Sequence, residues 1–227
     1  VDQTVKGNTK QGMHTERDVD IATSGAGSRT QEPLPAEAAS HQFVVGDIPL
    51  EPPGFQAQPH VLAKLDRTEV RVLVIYPATG SPGLGTTQLA AAYARAKLAA
   101  GWRLVAWVNA AEAGSLQAGL AAVAEATGLI DGGSGPDIAD AGRAVRHLLE
   151  ADGDRCLLVF DDVPDLEALR PFIPADGTAQ VLITSPRPPT ANLATAVPVD
   201  GFSAAGALSF LTGRAGLDDD AGAAAVA

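Results

Sequence analysis

An α/β fold, a parallel sheet covered by helices on both faces, is predicted by three observations. From Val70 onward short β-rich apolar runs alternate with helical stretches. One of those runs, Leu157-Leu158-Val159-Phe160, is continuously apolar, as a strand buried on both faces requires. The strands are spaced so that a helix fits in the crossovers, and crossovers of that kind are right-handed.

Each element follows from its residues. Val1 to Gln42 shows little apolar periodicity and scatters glycines among polar residues ahead of Pro33 and Pro35, which predicts a disordered or loosely structured leader. Within it, Val19-Asp20-Ile21-Ala22-Thr23 alternates in the manner of a short edge strand. Phe43 to Phe55 is excluded as a helix by Pro49, Pro52 and Pro53, and reads as a stiff connector laid against a domain, followed by a short helix from Pro59 to Leu65. Strands are expected at Val70 to Tyr76, Arg103 to Asn109, Cys156 to Phe160, Gln180 to Thr184 and Ala196 to Val199. The first long helix, Gln88 to Ala100, carries Leu89, Ala92, Tyr93 and Ala96 on one face. The second presents Leu116, Leu120 and Val123 and stops at Gly128, and the third, Ile138 to Glu150, buries Ile138, Ala141, Val145 and Leu148.

Composition narrows the function classes. With 27 acidic residues against 16 basic, the formal net charge of -11 supplies no global attraction for nucleic acid or for an anionic membrane surface. No apolar run approaches the ~20 residues of a membrane span, and the polar start has no signal-peptide core, so a soluble cytoplasmic protein is expected. Cys156 is the single cysteine and sits in an apolar strand, so it reads as a core residue. A chain that begins with Val1 and stops at Ala227 inside an alanine-rich run is expected to be a piece of a longer protein.

Three motifs carry chemistry. Gly80-Ser81-Pro82-Gly83-Leu84-Gly85-Thr86-Thr87 has the spacing of a phosphate-binding loop, with Thr86 where the lysine belongs and Thr87 offering the hydroxyl that ligates magnesium. Glycines let successive amides turn inward, and the helix that starts there adds its positive end. Read alone, the same residues also suit an ordinary glycine-rich turn. The buried strand ending in Asp161-Asp162 has the form in which Asp161 holds magnesium through water while Asp162 polarises an attacking water; acidic residues that merely open a loop are the alternative. Val181 to Arg187 ends a third strand in hydroxyls and a guanidinium, so Arg187 is either a γ-phosphate contact or a solvated loop arginine. All three motifs fall at the carboxyl ends of parallel strands, where open α/β sheets place ligands.

Gly46-Asp47-Ile48-Pro49, Pro52-Pro53-Gly54-Phe55-Gln56, the loop, Leu89-Ala90-Ala91-Ala92-Tyr93, Trp107-Val108-Asn109-Ala110, Leu157 to Asp162 and Val181 to Ser185 occur in an order that resembles the nucleotide-binding half of NB-ARC proteins. The similarity is to the actinobacterial members of the STAND class of signalling ATPases, which often carry tetratricopeptide repeats. It implies a P-loop NTPase fold with a five-stranded sheet in which the strand ending at Thr184 lies between those ending at Tyr76 and Phe160. It also implies a nucleotide-binding domain over 70–201, entered through 43–69 and followed by the start of a helical subdomain over 202–227. The implied ligand is ADP or ATP with Mg2+, with Gly80, Gly83, Gly85, Thr86, Thr87 and Gln88 as the cradle and Thr87 and Asp161 at the metal. Asp162 and Arg187 take the catalytic places, and the implied partners are other domains of a longer chain and further copies of itself. Three positions depart from the pattern: Thr86 replaces the loop lysine, Gln58 stands for the arginine of the entry motif, and Pro186 interrupts the sensor strand. The sequence ends before the Gly-Leu-Pro motif and the winged-helix lid of those proteins.

The missing lysine has a calculable cost. Charge-assisted bonds to terminal phosphates contribute roughly 1.5–3 kcal/mol, and losing a buried charge partner costs about 2–5 kcal/mol. That is a loss on the order of 10 to 10³ in affinity. Lys97 is about 15 Å along the helix from Thr87 at ~1.5 Å per residue, too far to substitute. Hydrolysis suffers more than binding, because its transition state leans on charge compensation. The expected function is therefore an ADP/ATP-binding regulatory module with weak or absent hydrolysis; the alternative is a pseudo-NTPase interaction scaffold that binds no nucleotide. A small-molecule kinase needs a substrate pocket and lid that the sequence does not offer, and a GTPase needs an Asn-Lys-x-Asp motif that it lacks.

Overall fold

The computed structural model describes residues 42–67, 70–80, 83–130, 138–189, 193–201, 206–208, 210 and 212. Apart from Gln42, whose side-chain amide donates to the Leu98 and Trp102 carbonyls, the expected leader and its edge strand lie outside them. Six parallel strands form one sheet: β1 (Phe43–Val45), β2 (Val72–Pro77), β3 (Leu104–Asn109), β4 (Cys156–Asp161), β5 (Gln180–Thr184) and β6 (Thr195–Val199), in the spatial order β1-β3-β4-β5-β2-β6. The helices are α1 (Pro59–Leu65), α2 (Thr86–Ala99), α3 (Ala113–Ala126) and α4 (Ile138–Ala151), with a 3-10 turn at Leu166–Phe172.

Alternation along the central strands sorts the core into two layers. Leu73, Ile75, Val105, Trp107, Leu157, Val159 and Leu182 pack with Leu89, Ala90, Tyr93 and Ala94 of α2 and Val61 and Leu65 of α1. Val74, Ala106, Val108, Leu158, Phe160, Val181 and Ile183 face the other way, against Leu116, Leu120 and Val123 of α3 and Val145 and Leu149 of α4. Both faces of β4 are therefore dry, which is why its sequence shows no polar alternation. Cys156 is a core residue, and burial pushes its thiol up against the opposing pull of the Arg103 guanidinium. Pro198 is tolerated because β6 is an edge strand with no outer neighbour to receive its missing amide. Burial first, and the nearby Asp66 carboxylate second, hold the Tyr93 phenol protonated well above its ordinary range. Its hydroxyl lies 2.9 Å from the Leu65 carbonyl and 2.8 Å from Gln180 Oε1, tying α2 to α1 and β5.

Strand β5 lies between β2 and β4, as the resemblance implies. The count of five strands is corrected to six. Phe43 to Val45, read as a connector, pairs in parallel register with Leu104 to Ala106, because the prolines that forbid a helix begin only at Pro49. Gly46 then turns the chain with φ 81°, and a Cβ there would meet the Trp107 carbonyl oxygen at 2.0 Å. Beyond it the segment is held on α2 by Arg95, which donates to the Pro49 carbonyl at 2.6 Å and pairs with Glu51 at 3.2 Å. Two face assignments also change: Ala96 is exposed, and Leu149 rather than Leu148 is fully buried, since α4 turns its stripe one residue further. The side chain of Ile138 is outside the described residues.

Gly46→Ala should lower stability in urea by about 1–3 kcal/mol from the strained backbone alone, and further through the clash. An unchanged denaturation midpoint would show that β1 does not dock as described.

Candidate functional site

The sheet register brings three strand ends together. β2 leaves at Pro77 beside β5, and β5 lies beside β4, so the loop after Pro77, the Thr184-Ser185 exit and Asp161-Asp162 share one edge. Gly80, Gly83 and Gly85 have φ of 69°, 89° and 80°, left-handed values that glycine adopts without steric cost. A Cβ at any of the three would meet nothing within 4 Å among the described residues, which leave open space in front of the loop backbone. Gly85 caps α2 with no side-chain hydrogen bond, and the first turn contains no acidic residue. The first amides of α2 thus lack a capping side chain, and groups of this kind are satisfied by water or by an anionic ligand. Ser81 and Pro82, the tip of the loop, are outside the described residues.

Opposite the loop, Asp161 is buried and accepts two hydroxyl hydrogen bonds on Oδ1, from Thr87 at 3.0 Å and from Thr184 at 2.6 Å. The Thr184 hydroxyl in turn accepts from the Asp162 amide at 2.8 Å. Asp162 adopts φ 61°, which asparagine and aspartate tolerate better than most residues, and its carboxylate is exposed. Thr86, Thr87, Asn109, Asp161, Thr184 and Ser185 line a cavity of about 320 Å³ in front of the loop.

A second, more apolar cavity of about 280 Å³ lies beyond the loop, walled by Pro52, Phe55, Leu84, Leu89 and Phe210 and reached by Gln58 and Gln88. Gly83 and Leu84 line both cavities, so the loop is their common wall. No lysine or arginine lines either one among the described residues. Lys97 is engaged elsewhere: it pairs with Asp66 at 2.6 Å and sits over the rings of Tyr93 and Trp102.

The predicted residues are distributed accordingly. Gly83, Thr86, Thr87, Asp161 and Asp162 meet at the first cavity, while Gln88 and Gly85, the cap of α2, line the second. Gly80 closes a turn on the Pro77 carbonyl at 3.0 Å. Arg187 lines a neighbouring cavity with Asp165 and Glu167, while Pro186 is at the wall of the first cavity. Sequence reasoning passed over Asn109. Its position at the end of a strand paired residue for residue with β4 was the available signal. Its Oδ1 accepts from the Ala111 amide and the Ser115 hydroxyl, which fixes the entry to α3.

Magnesium and phosphate fit this residue set. Thr87 and Asp161 are a hydroxyl and a carboxylate already within 3.0 Å of one another, oxygen donors of the kind a hard cation takes. The backbone before them is open.

The strand order, the loop and the helix that follows define a P-loop NTPase fold. Among solved structures, the chain is similar to a STAND protein with a tetratricopeptide repeat sensor from Pyrococcus horikoshii, at 18% identity over 85% of this chain with a TM-score of 0.51. The chain spans only 29% of that protein's length. The ORC2 protein of Aeropyrum pernix, solved as ADPNP-ADP complexes, aligns at 18% identity over 73% of this chain and 46% of its own, with a TM-score of 0.39, too low to bear on the fold. No protein-family model and no curated protein matches the sequence. Among the described residues no helix is long and apolar enough to cross a membrane.

Thr184→Val keeps the shape of the side chain but removes a donor from Asp161 and an acceptor from the Asp162 amide. Stability in urea should fall by about 1–3 kcal/mol, the cost of leaving buried polar groups unpaired. A variant as stable as the parent would contradict the network.

Proposed function

We propose that the chain is the nucleotide-binding module of an NB-ARC-type STAND signalling protein, holding ADP or ATP at the Gly80 to Thr87 loop and hydrolysing ATP weakly or not at all. One observation carries this reading: a glycine-turned helix start with no capping side chain and open space before it faces a buried carboxylate held by Thr87. Such a start is an anion site through its free amides and its dipole. The description of the Pyrococcus horikoshii protein as a signal transduction ATPase with numerous domains supports a regulatory role in a longer chain with other domains as partners; a cytoplasmic setting and contacts with further copies are part of the same proposal.

Each residue then has a task. The amides from Gly83 to Thr87 would hold phosphate oxygens, the Thr87 hydroxyl and the Asp161 carboxylate would hold magnesium, and Asp162 would polarise a water. Magnesium, when bound, supplies the positive charge that the phosphates require. Asp161 and Asp162 are both acidic, and Thr86 brings no charge to offset them. Binding therefore rests on amides, hydroxyls and the metal complex, and the transition state for hydrolysis lacks its usual cation.

A second reading is a scaffold that binds no nucleotide. It is favoured by the self-sufficiency of the network, since Asp161 Oδ1 already has two donors from Thr87 and Thr184. Under it, ADP with magnesium shifts the melting temperature by nothing.

Restoring the lysine separates the two. Thr86→Lys should raise the affinity for ADP with magnesium by about 10 to 10³, measured by isothermal titration. An affinity unchanged by the substitution would mean that the loop does not cradle phosphate.

A further inference from the structure

We propose that the side-chain amides of Gln58 and Gln88 form a base-reading pair that selects a purine bearing an exocyclic amino group, adenine over hypoxanthine. This rests on the reading of the loop as a nucleotide site. The cavity beyond the loop has apolar walls from Phe55, Leu84, Leu89 and Phe210, a slot suited to a flat ring. Because Gly83 and Leu84 line it together with the phosphate-sized cavity, a nucleotide whose phosphates lie on the loop has its base within reach of this slot.

Two polar atoms in its lining residues are out of balance. Gln58 Oε1 and Gln88 Oε1 are buried and without a hydrogen-bond partner, and they are the only side-chain atoms in that condition among the described residues. A buried acceptor left unpaired is destabilising, so native structures rarely retain one unless a ligand or water completes it. Two such acceptors on one small cavity, from separate elements, point to a ligand with donors to give. Gln58 cannot serve as a donor by turning over, because its Nε2 already donates to the Asp200 carbonyl at 3.2 Å. It presents its oxygen while that bond holds.

An adenine N6 amino group carries two N–H bonds, one for each amide oxygen. The keto oxygen that hypoxanthine has in its place brings lone pairs toward two acceptors. Sites built to hydrogen-bond a substrate group discriminate strongly against analogues that lack it, because their own polar groups are then left unpaired.

The test compares ADP with inosine diphosphate, both with magnesium, by isothermal titration against the whole chain. ADP should bind more tightly by about 10- to 100-fold, toward the low end for a partly open cavity. The Gln58→Leu/Gln88→Leu variant should bind both equally while keeping the parent's thermal unfolding midpoint. If the double variant unfolds, Gln88→Leu alone should reduce the preference. Equal binding of the two nucleotides by the parent, or an undiminished preference in the variant measured, overturns the base-reading pair and leaves the nucleotide site standing. Binding of neither nucleotide overturns the site itself, and the pair with it.

Discussion

The site depends on one acceptor, Oδ1 of Asp161, on which hydroxyls from two different elements converge. Thr87 reaches it from the first turn of α2 and Thr184 from the end of β5, at 3.0 and 2.6 Å. Since Asp161 itself ends β4, this single oxygen fixes the loop helix against two neighbouring strands. The Asp162 amide, drawn onto Thr184, turns the chain into its left-handed conformation and leaves the second carboxylate in solvent. A carboxylate buried at the mouth of a parallel sheet is stable there because it is hydrogen-bonded, and one of the hydroxyls that hold it, that of Thr87, is the one proposed for the metal.

That convergence is set by packing at some distance. Continuous apolar strands put β4 inside the sheet with both faces covered, and the alternation of Leu73, Val74 and Ile75 joins β2 to both core layers just before the loop begins. The entry segment does the corresponding work for the second cavity. Paired at β1 and held on α2 by Arg95, it delivers Phe55 and Gln58 to the far wall of the loop. Both cavities thus follow from where two chain segments enter and leave the same helix.

Much of this was legible in the sequence. Strand β5 and helix α1 have the limits read from their residues, and the placement of β5 between β2 and β4 agrees with what the resemblance to NB-ARC proteins implies. Strand β1 was not legible, because three residues give no measurable alternation and its pairing is made with a partner some sixty positions away. The 3-10 turn at Leu166–Phe172 was missed for a similar reason: it is short, contains Pro171 and is started by Asp165, whose side chain accepts from the Glu167 amide. Motif spacing singled out Asp161 and Thr87 but not the atom that joins them. The role of Thr184 in orienting both aspartates, and the two unpartnered glutamine oxygens, are matters of three-dimensional position that no local pattern encodes.

The cavity in front of the loop has two aspartates and no basic side chain among its described walls. The electrostatic consequence is specific. Under the proposed function a bare nucleotide would bring negative phosphates to a negative site, whereas its magnesium complex would bring positive charge with it. The most direct measurement is isothermal titration of the chain with ADP, once with magnesium and once with a chelator in its place. Binding with magnesium that is lost, or weakened by at least about tenfold, in chelator is the result predicted, a tenfold change being about 1.4 kcal/mol. Equal affinity in the two conditions, or no binding in either, would contradict a phosphate site whose charge is supplied by the metal.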